Sequence, residues 1–158
     1  MKNLNRIGLE IEKSNELVGQ LSDLLSNYSV FYQNVRGYHW NIKGDNFFEL
    51  HIKFEELYDD LVLKIDEIAE RILTLGSEPE NRYSVYLSQS VIKEATDLTN
   101  GKVAVQDILD SFKVLLIKQR TIMDFADEMG DEGTNALMSD YIREQEKLIW
   151  MYSAYLKQ

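Results

Sequence analysis

Apolar residues recur along this chain at three- and four-residue steps, with no strand-like alternation. That spacing lays an apolar stripe down one side of a helix. Over residues 5–38 the stripe is Leu17, Leu21, Leu24, Tyr28, Phe31 and Val35, which predicts a first long helix. Gly37 is placed to weaken its end, and residues 41–45, with Gly44, read as a turn. A second helix is expected over residues 46–75, on Phe47, Leu50, Phe54, Leu57, Leu61, Ile65, Ile68, Ile72 and Leu75. Asp45 stands where an N-cap belongs, Gly76 where a left-handed C-cap belongs, and Pro79 prevents continuation.

The connection over residues 77–100 is long, and its centre, LSQSVIKEA, has the composition of a short helix. A third helix then runs to Met129, capped by Thr99 or Asn100, on Ala104, Ile108, Phe112, Leu115, Ile122, Ala126 and Met129. Gly130 ends it. Thr134 is placed to cap the last helix, which carries Leu137, Tyr141, Leu148, Tyr152 and Tyr155. Short links force antiparallel neighbours, so helices one and two pair, as do three and four. The long connection can run the length of the bundle. The expectation is one all-α domain over residues 1–158, a four-helix bundle with one crossover carrying a short extra helix.

Composition narrows the function. No apolar run approaches a membrane span, and the charged N-terminal segment lacks the apolar core of a signal peptide. With no cysteine there is neither a disulfide framework nor thiol chemistry, and a cytoplasmic location is the default. A formal net charge of −10 opposes general attraction to nucleic acid and favours attraction of cations.

Both histidines, His39 and His51, fall beside the second helix, followed by Glu55, Asp66 and Glu70. Imidazoles with carboxylates suit iron, manganese or zinc. His51 and Glu55 are four residues apart, as are Asp66 and Glu70, so each pair shares a helix face, and all four lie on one side. Along the axis, however, His51 and Asp66 are separated by about 22 Å. Metal–ligand bonds are about 2 Å long, so one metal cannot join both pairs on a straight helix. Either two separate weak sites exist, or a symmetry mate brings its Asp66 and Glu70 to this chain's His51 and Glu55. Phe48, Ile52, Val62, Leu63, Ala69 and Leu73 lie among these residues and make a second apolar strip that the core does not need. Such a strip favours the interface reading. His39, at the end of helix one, is placed to reach the same metal.

The run HW, ten residues, then H, with an acid four later and D-x-x-x-E fifteen beyond the second histidine, resembles the DNA-protection-during-starvation (Dps) miniferritins. The ending EKLIWMYSAYL is similar to that family's last helix, so the resemblance covers nearly the whole chain. It implies a ferritin-like bundle and an inter-subunit site that oxidises Fe(II), commonly with hydrogen peroxide. It also implies a cage of twelve chains storing ferric mineral and protecting against oxidative damage. His39, His51 and Glu55 would come from one chain, Asp66 and Glu70 from its mate. Glu55 departs from the family's usual Asp. No Glu-x-x-His is present, so the intra-bundle di-iron site of other ferritins is not encoded.

Against this stand plainer readings. Glu55, Asp66 and Glu70 could be a solvated face or could pair with Lys53, Lys64 and Arg71, and Asp59 is a surface acid beside them. Trp40 is a packing residue or, by resemblance, an indole that quenches oxidising equivalents. Asp127, Asp131, Glu132 and Asp140 form either an acidic turn or, by resemblance, an iron-entry pore. Lys2 and Arg6 are the only basic residues among the opening eleven, which lack the lysine-rich DNA-holding tail of some family members. The alternative functions are a DNA-compacting or structural oligomer with a stapling metal, and a bundle with an inter-chain zinc site.

Overall fold

The computed structural model describes residues 3–158; Lys2 lies outside them. The described residues form five helices, α1 (Ile11–Asn41), α2 (Phe47–Thr74), α3 (Tyr83–Gln89), α4 (Gly101–Met129) and α5 (Glu132–Tyr155). The fold is the all-α, ferritin-like bundle with one crossover. Tyr28, Phe31 and Tyr38 of α1 meet Gln119, Phe112 and Asp107 of α4, so these two helices run antiparallel. Likewise Lys64 and Arg71 of α2 meet Glu144 and Asp131 at the other side of the bundle, which sets α2 antiparallel to α5. Helices α2 and α4 therefore point the same way, and only a long connection can join them.

Most stripe residues are buried, while Phe47, Ile65, Met129, Leu137, Leu148 and Tyr155 are half-buried. Leu17, Phe31, Phe54, Leu61, Ile68, Ile108, Phe112 and Leu115 are fully enclosed. At the bundle centre three neutral side chains close a ring. The Tyr28 hydroxyl donates to Gln119 (2.5 Å), Gln119 donates to Gln145 (2.8 Å), and Gln145 donates back to the Tyr28 oxygen (2.6 Å). All three are completely buried. Each polar atom in the ring has a partner, so no charge is needed there.

Several boundaries differ from expectation, most of them where a side chain captures backbone groups. Helix α1 starts at Ile11, not near Asn5. The Asn5 carboxamide accepts from Ile7 and Leu9 N–H, and Gly8 adopts φ +81°, so residues 3–10 fold into a turn. At its other end α1 passes Gly37 and carries His39 inside its last turn. The crossover helix lies at Tyr83–Gln89 instead of over residues 87–95. There Asn27 accepts from Val91 and Ile92 N–H, and Asn34 clasps Lys93 and Ala95, holding the chain extended. Asn100 caps α4 as expected. Asp131, not Thr134, caps α5, and Asp45 does not cap α2, where the left-handed Asn46 begins the helix without a side-chain bond. No helix among the described residues is long and apolar enough to cross a membrane.

Candidate metal centre

The turn between α1 and α2 folds the two histidines face to face. Their rings stack at 3.8 Å between centroids and 10° between planes. Each reaches the other's main chain: His39 Nδ1 lies 2.6 Å from the His51 carbonyl oxygen, and His51 Nδ1 lies 2.7 Å from that of His39. A carbonyl only accepts, so both Nδ1 atoms carry the proton. Each Nε2 is left with a lone pair and no hydrogen bond among the described residues. That is how a protein fixes the tautomer and ring orientation of a metal-binding imidazole. Phe47 stacks on the outer face of His51 at 5.1 Å, and Tyr58 stands edge-on to His39 at 5.3 Å. His39 is buried and His51 half-buried, so the pair is walled on the protein side.

Glu55 lies one turn beyond His51 and is exposed, as are Asp66 and Glu70. The ion-pair reading of these acids fails. Lys53 pairs with Glu56, Lys64 with Asp60 and Glu144, and Arg71 with Asp131. Among the described residues, no cation pairs with Glu55, Asp66 or Glu70. Helix α2 is continuous from His51 past Glu70, so the fifteen-residue rise still separates the two acid groups by about 22 Å. Among the described residues of this one chain, no three His, Cys, Asp or Glu side chains converge as a metal site. The structure thus brings His39 to His51 and leaves Asp66 and Glu70 at the far end of the same face.

Between the two ends the α2 surface is apolar and open. Phe48 is 75% exposed, Leu63 63%, Ile52 55% and Leu73 54%. Trp40 is exposed, with the Arg36 guanidinium 4.8 Å above its ring. Asp59 is exposed beside Tyr58. Burial, with the charges of Glu55 and then Asp59, holds the Tyr58 proton more tightly than in free tyrosine. Tyr58 carried no signal in the periodicity, because nothing in sequence spacing ties it to His39.

Asp131 is 2% exposed and wholly engaged, accepting from Arg71 (2.6 Å), the Thr134 N–H (3.0 Å) and the Thr134 hydroxyl (2.5 Å). It joins α2 to α5. Asp140 pairs with Arg143, while Asp127 and Glu132 are exposed.

Comparison with known proteins agrees with this architecture. A ferritin-like domain family matches residues 18–158. A DNA protection during starvation protein of Porphyromonas gingivalis is 46% identical over 154 residues, covering 98% of this chain and 97% of the relative. The crystal structure of a Dps protein from Vibrio cholerae, described as a member of a superfamily of ferritin-like diiron-carboxylate proteins, superposes with TM-score 0.95. It is 58% identical and covers 97% of this chain and 96% of its own. A Dps from Listeria innocua, soaked with zinc, is 27% identical with TM-score 0.86, covering 90% and 97%. With its one-crossover bundle and its paired histidines at the head of α2, the chain belongs to the Dps miniferritins of the ferritin-like family, a family of iron storage and protection.

Proposed function

We propose that this protein is a ferroxidase that oxidises Fe(II) with hydrogen peroxide at sites shared between two copies of the chain. It then stores the product as ferric mineral inside a closed oligomer of twelve. His39, His51 and Glu55 of one protomer bind the ferrous substrate together with Asp66 and Glu70 of a second copy. The observation that carries this reading is the reciprocal histidine clasp, which leaves two Nε2 lone pairs one helical turn from an unpaired carboxylate and completes no site within the described residues of its own chain.

The chemistry fits the donors. Neutral imidazole and carboxylate suit ferrous iron, and the carboxylates favour the ferric product. Two ferrous ions give two electrons to peroxide, which leaves as water, so hydroxyl radical is not released. Zinc or manganese would occupy the same donors as competitors. The exposed apolar strip on α2 supports an antiparallel two-fold contact that places Asp66 and Glu70 against the partner's His51. The net charge of −10 favours cation entry and opposes DNA binding at a cytoplasmic location.

Anaerobic addition of ferrous iron followed by peroxide, read by ferric absorbance, tests the reading. Fast oxidation is expected in the parent and slow oxidation in an Asp66→Asn, Glu70→Gln double variant. Equal rates would overturn the site. The second reading is a DNA-compacting or structural oligomer with a stapling metal, and relatives named for DNA protection are the observation on its side; a gel shift at low salt that is tight and salt-sensitive would support it. Metal analysis of the purified protein distinguishes iron from a stapling zinc.

A further inference from the structure

The aromatic side chain in contact with His39 is Tyr58, not the adjacent Trp40. Tyr58 stands edge-on to the imidazole at 5.3 Å and 74°. On its other side Tyr32 of α1 meets it edge-on at 6.0 Å and 80°. Beyond Tyr32 the Arg36 guanidinium lies 5.4 Å from the Tyr32 ring and 4.8 Å from Trp40. Among the described residues of this chain, the ring contact of the indole is with that guanidinium, which is redox-inert. Both phenols are half-buried, and Tyr32 opens on the groove between α1 and the crossover. His39, Tyr58 and Tyr32 thus form a continuous path of ring contacts from the metal-binding face to that groove.

We propose that Tyr58 is a one-electron donor to the peroxide reaction when only a single ferrous ion is bound, and that Tyr32 takes up the resulting radical. The inference rests on the ferroxidase reading above. One ferrous ion supplies one electron, yet cleaving peroxide to water takes two. With Tyr58 supplying the second, one Fe(II), one Tyr58 phenol, one hydrogen peroxide and one proton give one Fe(III), one neutral Tyr58 phenoxyl radical and two waters. The O–O bond breaks, and the phenolic proton ends in water. The phenoxyl exchanges a hydrogen-atom equivalent with Tyr32, moving the radical away from the iron. A second ferrous ion with one proton restores the phenol and yields the second Fe(III). Without Tyr58, a lone ferrous ion reduces peroxide by one electron and releases hydroxyl radical. Tyr58 thereby keeps the reaction safe at low iron supply.

The test is freeze-quenched electron paramagnetic resonance of the intact oligomer, loaded anaerobically with one ferrous ion per site and mixed with peroxide. A tyrosyl signal is expected that narrows with ring-deuterated tyrosine and shrinks at two ions per site. Tyr58→Phe, which keeps the ring packing, should lose that signal and raise spin-trapped hydroxyl radical. Tyr32→Phe should keep a tyrosyl signal, now confined to Tyr58, and Tyr83→Phe, outside the path, should match the parent. A tyrosyl signal that survives Tyr58→Phe, does not depend on iron loading, or is replaced by a tryptophanyl signal overturns the proposal. Ferric absorbance recorded on the same samples separates the two claims. If the parent forms no ferric product at either loading, the ferroxidase reading fails and this one falls with it. If ferric product forms without a tyrosyl radical, only the tyrosine path fails.

Discussion

His39 and His51 each donate Nδ1–H to the other's main-chain carbonyl, at 2.6 and 2.7 Å. The two bonds tie the last turn of α1 to the first turn of α2 and satisfy carbonyls at the junction. The same bonds set both imidazoles in one tautomer, so the local fold and the donor atoms depend on a single pair of contacts. Replacing either histidine removes one imidazole donor and the stacking face of the other ring, while the main-chain carbonyl that holds the other Nδ1–H remains.

A shared site predicts complementation. His51→Ala and the Asp66→Asn, Glu70→Gln double variant should each oxidise iron slowly alone. After dissociation and random reassembly, a mixed dimer holds one intact site of two, so about a quarter of parental sites should return. Ferric absorbance of the remixed sample checks this. No recovery would place all ligands on one chain or none of them at the site.

The buried ring of Tyr28, Gln119 and Gln145 predicts a packing-independent loss. Gln119→Leu preserves volume but leaves the Tyr28 hydroxyl proton without an acceptor and a Gln145 oxygen without a donor in the core. The expected cost is about 2 kcal/mol. Urea unfolding measures it, and a neutral result would mean that water replaces the lost amide.

Asp131 is expected to matter through stability, not iron entry. Asp131→Ala removes the α5 cap and the partner of Arg71 at once, at a cost of about 3 kcal/mol. The initial rate of iron uptake into the folded oligomer should match the parent, measured by ferric absorbance at a temperature where both are folded.

Alkaline unfolding follows from the buried phenols. Burial raises the Tyr28, Tyr141 and Tyr152 hydroxyls above their ordinary value. For Lys64 burial works the other way, but its hydrogen bonds to Asp60 and Glu144 outweigh it, and the net shift is again upward. Groups with raised folded pKa values stabilise fully below their unfolded pKa, and that stability is lost as pH rises through the folded values. Stability should therefore hold up to about pH 10 and fall steeply above it. Phenolate absorbance and helical circular dichroism, followed together, should change in one transition. Phenolate formation well before loss of helix would contradict the burial of these rings.

Much of this protein was legible from the chain. Periodicity alone places four long helices and their core stripes, because burying one face of a helix demands that spacing wherever the helix sits. Length settles the crossover, since parallel α2 and α4 cannot be joined by a short turn. The rise and rotation of a helix also show that His51 and Asp66 share a face yet stand too far apart for one metal. Helix boundaries escaped where Asn5, Asn27 and Asn34 take backbone partners from elsewhere, an exchange that no local propensity encodes. The fates of Lys53, Lys64 and Arg71 were equally hidden, because each cation chooses among several acids by three-dimensional distance. Only tertiary structure set the two imidazoles against each other's carbonyls, brought Tyr58 to His39, and sealed Asp131 beneath Arg71. Those relations depend on how two helices close on one another, and the sequence of either helix alone does not contain them.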